Sequence, residues 1–188
     1  MSDKKTYLFA FLFTIIFVLA NYCVQFSIGS SNLTYGAIIY PFSFLLLDIL
    51  SEKYNKKDIF KIVRYAVLLS FIPSFFISQP SIALASICAF FVSQHLDVYI
   101  FFIFKKIFPR LWWLRNNAST IIAQFFDTMI FFHIAFWFTH SCEWIIIAAL
   151  LDFGVKIISS FASTPFFYIF AIRKNKILAK QIITFCNN

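Results

Sequence analysis

The chain has 188 residues, 61% of them hydrophobic, 22% aromatic and only 13% charged, with a formal net charge of +8. A soluble domain carries about a quarter charged residues and under half apolar ones, and a chain this small has no core able to hide the excess. Composition therefore excludes a soluble globular domain, and it equally excludes a disordered chain, which needs low hydrophobicity. Four scattered cysteines make no disulfide framework, and three glycines leave no material for a phosphate-binding loop. An integral membrane protein remains.

Apolar stretches of about 17–25 residues read as transmembrane helices, and six are expected here, at 7–27, 34–51, 59–78, 82–104, 117–138 and 143–171. The first follows Lys4 and Lys5 like a signal peptide. It is longer than one, lacks a small-x-small cleavage site and opens a polytopic chain, so it is read as retained. The second is short and carries Pro41. The sixth would be about 45 Å long against a hydrocarbon core of about 30 Å. It is expected to tilt, or to kink near Gly154 or before Pro165.

Charge orients these spans. Lys4 and Lys5, then Lys53, Lys56, Lys57, Lys61 and Arg64, then Lys105, Lys106, Arg110 and Arg115, and finally Arg173, Lys174, Lys176 and Lys180 make 15 of the 16 basic residues. The alternate loops, around 28–33, 79–81 and 139–142, have none. The positive-inside rule then predicts an all-α integral membrane protein of six helices with both termini cytoplasmic, one domain over 1–188. Anionic lipid headgroups account for the basic loops, and no aromatic–basic platform lies outside the membrane, so nucleic acid is not expected as a partner.

Ionisable groups at membrane depth cost about 2.5–3.5 kcal/mol each on insertion scales, so they persist where they face a bundle interior, a cavity or one another. Each helix sorts its polar residues onto one stripe. Span 1 aligns Thr14, Asn21 and Gln25, and span 2 aligns Pro41, Asp48 and Glu52. In span 5, Asn117, Thr120, Gln124, Asp127 and Thr128 fit a sector of about 100°. In span 6, Asp152, Lys156, Ser159, Ser160 and Ser163 do the same, with Asp152 and Lys156 one turn apart and able to neutralise each other.

A local repeat adds to this. FVSQHLDVYIFFIF (91–104) and TIIAQFFDTMIFFH (120–133) share Gln-x-x-Asp-x-x-Ile-Phe-Phe, placing Gln94 with Asp97 and Gln124 with Asp127 on single helix faces. Successive spans run in opposite directions, so packing them together would turn two inverted amide-plus-carboxylate sets toward a shared cavity, an arrangement found in secondary transporters. The blander reading is that Gln and Asp only hydrogen-bond helices together and that Asp152–Lys156 is a structural ion pair. His95 and His133 point away from these stripes and are expected to make interhelical hydrogen bonds. Trp112 and Trp113, beside Arg110 and Arg115, read as an interfacial belt. No nucleophile–base pair, metal-ligand spacing or cofactor motif occurs, so the pattern favours a carrier of a small polar molecule over an enzyme or an assembly factor.

YPFSFLLLDILSEKYNKK (40–57) resembles the signature of the queuosine precursor transporter family, also called the vitamin uptake transporter family, with Asp48, Glu52 and Tyr54 matching its Asp-x-x-x-Glu-x-Tyr motif. Asn21 is similar to the family's Asn at the end of span 1. WWLRNNASTIIAQFFDTMIFFHIAF (112–136) places Arg115, Ser119, Gln124 and Asp127 in register with a second family segment. Gln94 with Asp97, and Lys156, Thr164, Pro165 and Tyr168, also fit. Asn55 stands where the family usually has Gly, and Asn is expected to keep a left-handed turn there.

The resemblance implies a bacterial inner-membrane importer of 7-deazaguanines: 7-cyano-7-deazaguanine, its aminomethyl relative or queuine, salvaged for tRNA modification. The implied substrate-binding residues are Asn21, Gln94, Asp97, Gln124, Asp127 and Lys156. A carboxylate would accept adjacent N–H donors of the base, an amide would serve its carbonyl, and phenylalanines would stack on the ring. One Gln/Asp set would read the base, and the other an amine or a coupled proton. Asp48 and Glu52 would gate with Arg115 or Lys156, and Asp152 would take part in gating or coupling. The expected partners are this small molecule and membrane lipid, with self-association left open. The alternative plan with six helices is the substrate-binding subunit of an ATP-driven vitamin importer, but span 1 lacks the Ala-x-x-x-Ala face typical of such subunits.

Overall fold

A computed structural model of the chain describes residues 1–26 and 34–173. The basic residues Lys174, Lys176 and Lys180, the loop at 28–33 and Cys186 lie outside the described residues. Seven helices form: α1 (Asp3–Cys23), α2 (Tyr35–Ile39), α3 (Pro41–Lys53), α4 (Lys56–Ile77), α5 (Pro80–Ile107), α6 (Trp112–Phe136) and α7 (Cys142–Phe167), the last continuing as a π-helical turn, Tyr168–Arg173. With α2 and α3 taken together, six helical spans among the described residues are long and apolar enough to cross a membrane.

Local chemistry sets the ends. Asp3, Asp58 and Glu143 sit in the first turns of α1, α4 and α7, where the helix dipole favours negative charge. Ser141 caps α7 by accepting from the Trp144 N–H at 3.4 Å, and Pro80 opens α5 where its missing N–H costs nothing. Lys105 Nζ donates to the last carbonyls of α3, Ser51 at 3.0 Å and Glu52 at 2.9 Å. Asn55 precedes α4 with φ −77° and ψ 149°. No left-handed turn exists there, so the departure from Gly needs no tolerance of positive φ. α7 stays α-helical through both Gly154 and Pro165, and the irregularity falls beyond them, in the π turn.

The second span is the centre of the bundle. In its most apolar stretch 61% of residues are buried, against 28–44% in the other five, and α3 touches α1, α4, α5, α6 and α7. Around it, α5 packs on α6 and α4, α1 on α4, and α6 on α7. Its centrality explains why this short span carries so many polar residues, since lipid touches little of it. Gly36 lets α2 lie against the end of α1: a Cβ there would stand 2.5 Å from Val24 Cγ2 and 2.9 Å from the Ala20 carbonyl oxygen. Phe13, Phe17 and Phe90 form the main apolar contact, with Phe17 and Phe90 centroids 4.0 Å apart. In lipid such packing gains dispersion rather than a hydrophobic drive. Phe76, Phe138, Leu68 and Ile158 face outward.

Candidate functional site

The chain alternates direction, so the N-terminus, the α3–α4 turn, the α5–α6 turn and Arg173 share one end of the bundle, here the basic end. Met1 confirms the placement by pairing its ammonium with Asp58 at the start of α4, at 3.1 Å. Polar side chains run through the interior from this end to the opposite half, in four groups.

At the basic end Glu52 closes the space between α3, α5 and α6. Arg115 Nη2 donates to Glu52 Oε1 at 2.9 Å and its Nη1 to the Pro109 carbonyl at 2.8 Å, while Lys105 Nζ lies 3.7 Å from Glu52 Oε2. One turn inward, Asp48 Oδ2 accepts from Thr120 at 3.0 Å and leaves Oδ1 without a partner. Asp97 lies beside Asp48 and Ser119, with neither carboxylate oxygen in a hydrogen bond of ordinary geometry. Both aspartates are 0–1% exposed. Of the two gate partners expected for Asp48 and Glu52, Arg115 meets Glu52, and Lys156 meets neither.

The third group holds the two glutamines. Gln94 Nε2 donates to Ser43 Oγ at 3.2 Å, and Gln124 Oε1 accepts from Ser160 Oγ at 2.9 Å. Gln94 Oε1 and Gln124 Nε2 are buried without partners.

The fourth group is the densest. Asp127 Oδ1 accepts from Tyr40 Oη at 2.7 Å and from Ser93 Oγ at 2.9 Å, and its Oδ2 accepts from Lys156 Nζ at 3.2 Å. Lys156 also donates to Thr128 Oγ1 at 2.9 Å and pairs with Asp152 at 2.8 Å. Lys156 thus serves two carboxylates from two helices, and Asp127 is charge-compensated rather than isolated. Helix spacing alone finds only the Asp152 partner.

This group closes one side of a cavity of about 190 Å³ in the half of the bundle away from the basic end. The walls include Asn21, Gly36, Tyr40, Asp127, Asp152 and Lys156, with Phe131, Phe132, Phe136 and Trp144 as aromatic faces. Asn21 is held by its Nδ2 donating to Ser74 Oγ at 3.2 Å. Only one member of the two Gln/Asp sets, Asp127, reaches this cavity. Gln94, Asp97 and Gln124 are not among its lining residues, because α5 and α6 run antiparallel and set Asp97 nearer the basic end than Asp127.

Tyr40, Ser93 and Ser43 are the polar residues that the helix stripes do not single out. Tyr40 joins α2 to α3 in helical conformation, immediately before Pro41, and Ser93 lies one turn before Asp97. The histidines bond within their own helices, His95 Nδ1 with the Phe91 carbonyl and His133 Nδ1 with the Met129 carbonyl, both at 2.7 Å. This corrects the expectation of interhelical bonds. Trp113 is half-exposed, as an interfacial residue would be, whereas Trp112 packs on Phe167 and Tyr168. Among the described residues no group of three His, Cys, Asp or Glu side chains is placed to hold a metal ion.

Comparison with known proteins agrees with the resemblance. Residues 34–170 match the family described as "Putative vitamin uptake transporter". A "Probable queuosine precursor transporter" of Bacillus subtilis is 36% identical, with 67% of this chain and 68% of the relative covered. The "Queuosine precursor transporter" of Escherichia coli is 32% identical, covering 75% and 74%. A "Probable queuosine precursor transporter" of Haemophilus influenzae is 28% identical, covering 65% and 66%. No solved structure matches the chain. With its six spans and its interior line of polar groups, this multi-pass membrane chain belongs to the queuosine precursor transporter family of vitamin uptake transporters.

Proposed function

We propose that this chain imports queuosine precursors, 7-deazaguanine bases carrying a cyano or aminomethyl group, or queuine, across the bacterial inner membrane as a secondary carrier. The observation that carries this reading is the cavity of about 190 Å³, where aromatic faces surround carboxylates and an amide. A flat bicyclic base needs both: ring faces to stack on and acceptors for its adjacent N–H groups. Transport rather than catalysis suits a site with no nucleophile–base pair.

By the positive-inside rule the basic end is cytoplasmic, with both termini on that side. The cavity then belongs to the outer half, and the Glu52–Arg115–Lys105 group is the closed inner gate. Asn21, Asp127, Asp152 and Lys156 frame the receiving site in the outer half. Gln94, Asp97 and Gln124, with Asp48, form an inner station that takes the substrate or a coupling proton as the gate opens. The second span is suited to this role because it lies at the centre of the bundle and carries Asp48 and Glu52 among its neighbours.

The test is to express the chain in bacteria lacking both deazaguanine synthesis and their own importer, feed each precursor separately, and assay queuosine in tRNA on boronate gels. Restoration by at least one precursor is expected. No restoration despite confirmed membrane expression would reject the substrate. Loss of uptake on adding a protonophore, with no other chain present, is expected of a secondary carrier, whereas dependence on a copurifying ATPase would reject that mechanism.

A further inference from the structure

The sequence pattern points to Asp127 as the carboxylate that meets the base, but its surroundings in the structure argue otherwise. An ionised carboxylate offers about four lone-pair sites. At Asp127, Tyr40 and Ser93 occupy both on Oδ1, and Lys156 takes one on Oδ2. The side chain is only 4% exposed. Two parallel N–H donors cannot both be accepted there unless a bond to Tyr40 or Ser93 breaks. Lys156 is equally committed, its three N–H groups matching Asp127, Asp152 and Thr128.

Asp152 differs on each count. It lines the same cavity, its side chain is 15% exposed, and among the described residues it makes one ion pair, from Oδ2 to Lys156. Oδ1 and the second lone pair of Oδ2 remain for a ligand. Lys156 fixes the carboxylate from one side and leaves the cavity side open. The three charged groups sum to one net negative charge, which suits a ligand rich in N–H donors or bearing an ammonium.

We infer that Asp152 is the residue that accepts the adjacent N–H donors of the base, and that Asp127 is a positioning residue that holds Tyr40, Ser93 and Lys156 in place around it. This rests on the deazaguanine reading above. Asp152 thereby becomes the specificity-determining group for bases carrying an exocyclic amine beside a ring N–H.

The experiment is equilibrium binding to the purified full chain in detergent, using 7-cyano-7-deazaguanine and its counterpart lacking the 2-amino group. The unsubstituted chain is expected to prefer the amino compound by about tenfold to a hundredfold, the usual discrimination of a bidentate pair. Asp152→Asn should abolish that preference, and it leaves Lys156 paired with Asp127, so no buried charge is stranded. Asp152→Glu, which keeps both ion pair and carboxylate, should retain the preference and covers the case in which the Asn variant does not yield folded protein. Asp127→Asn should weaken both compounds by similar factors and keep the preference. Preference retained in Asp152→Asn but lost in Asp127→Asn would overturn the inference and leave the substrate reading intact. No saturable binding of either compound by the unsubstituted chain would overturn both.

Discussion

Asp97 and Asp127 occupy adjacent helices, each three residues beyond a glutamine, yet their carboxylates have opposite surroundings. Asp127 accepts from Tyr40, Ser93 and Lys156 and borders a cavity. Asp97 lies fully buried within reach of Asp48 and Ser119, and neither of its oxygens has a hydrogen bond of ordinary geometry. The repeat that makes the two segments look equivalent extends only along α5 and α6, whereas the donors that separate them are Tyr40 between α2 and α3, Lys156 on α7, and Ser93, at a position of α5 where α6 has Ala123. The Asp127 group is paired with a lysine and borders the cavity. The group nearer the basic end holds two carboxylates, Asp48 and Asp97, with no ion pair to a cation among the described residues, while Arg115 and Lys105 are engaged by Glu52.

The comparison can be broken most severely at Lys156. Lys156→Met would strand Asp127 and Asp152 together, and removing one partner of a buried pair costs about 3–5 kcal/mol. The melting temperature in detergent should fall steeply, and adding Asp127→Asn should recover part of the loss. An unchanged melting temperature would mean that the outer carboxylates do not depend on this lysine.

Next comes Asp127→Asn, which keeps Lys156 paired to Asp152 but weakens charge-assisted bonds worth about 1.5–3 kcal/mol each. Uptake should fall by about tenfold to a hundredfold at normal membrane levels, measured with labelled precursor. Asp97→Asn sharpens the contrast: intramembrane carboxylates mark transport pathways, so uptake should drop by about tenfold while binding at the cavity stays within about twofold. Equal losses in binding and uptake would place Asp97 in the receiving site instead. The smallest effect is expected from Tyr40→Phe, which removes one hydrogen bond worth about 1 kcal/mol and should lower affinity several-fold with little change in stability.

Six spans and their polar stripes are legible in the sequence because hydropathy and the 100° step of a helix are local properties. Asp48, Asp97, Gln124, Asp127 and Lys156 are accordingly all interior, and Glu52 with Arg115 needs only opposite charges at one end of the bundle. What sequence does not reveal is which stripes meet. Lys156 reads as the partner of Asp152 because the two share a helix, and its second partner comes from α6. Ser43 and Ser93 carry no signal of their own, since hydroxyl side chains are common in membrane helices and matter here only through what faces them, and Tyr40 stands out only as the first residue of the segment that resembles the family signature. The central position of the second span is likewise a property of packing, visible beforehand only as an unusual density of polar residues in a short helix.

The most direct measurement is uptake of labelled 7-cyano-7-deazaguanine and its aminomethyl relative into proteoliposomes containing only the purified chain, compared with the Asp127→Asn variant. Saturable uptake of at least one base by the unsubstituted chain, lost in the variant, is the predicted result. No uptake of either base, or equal uptake by both proteins, would contradict a deazaguanine carrier built around this cavity.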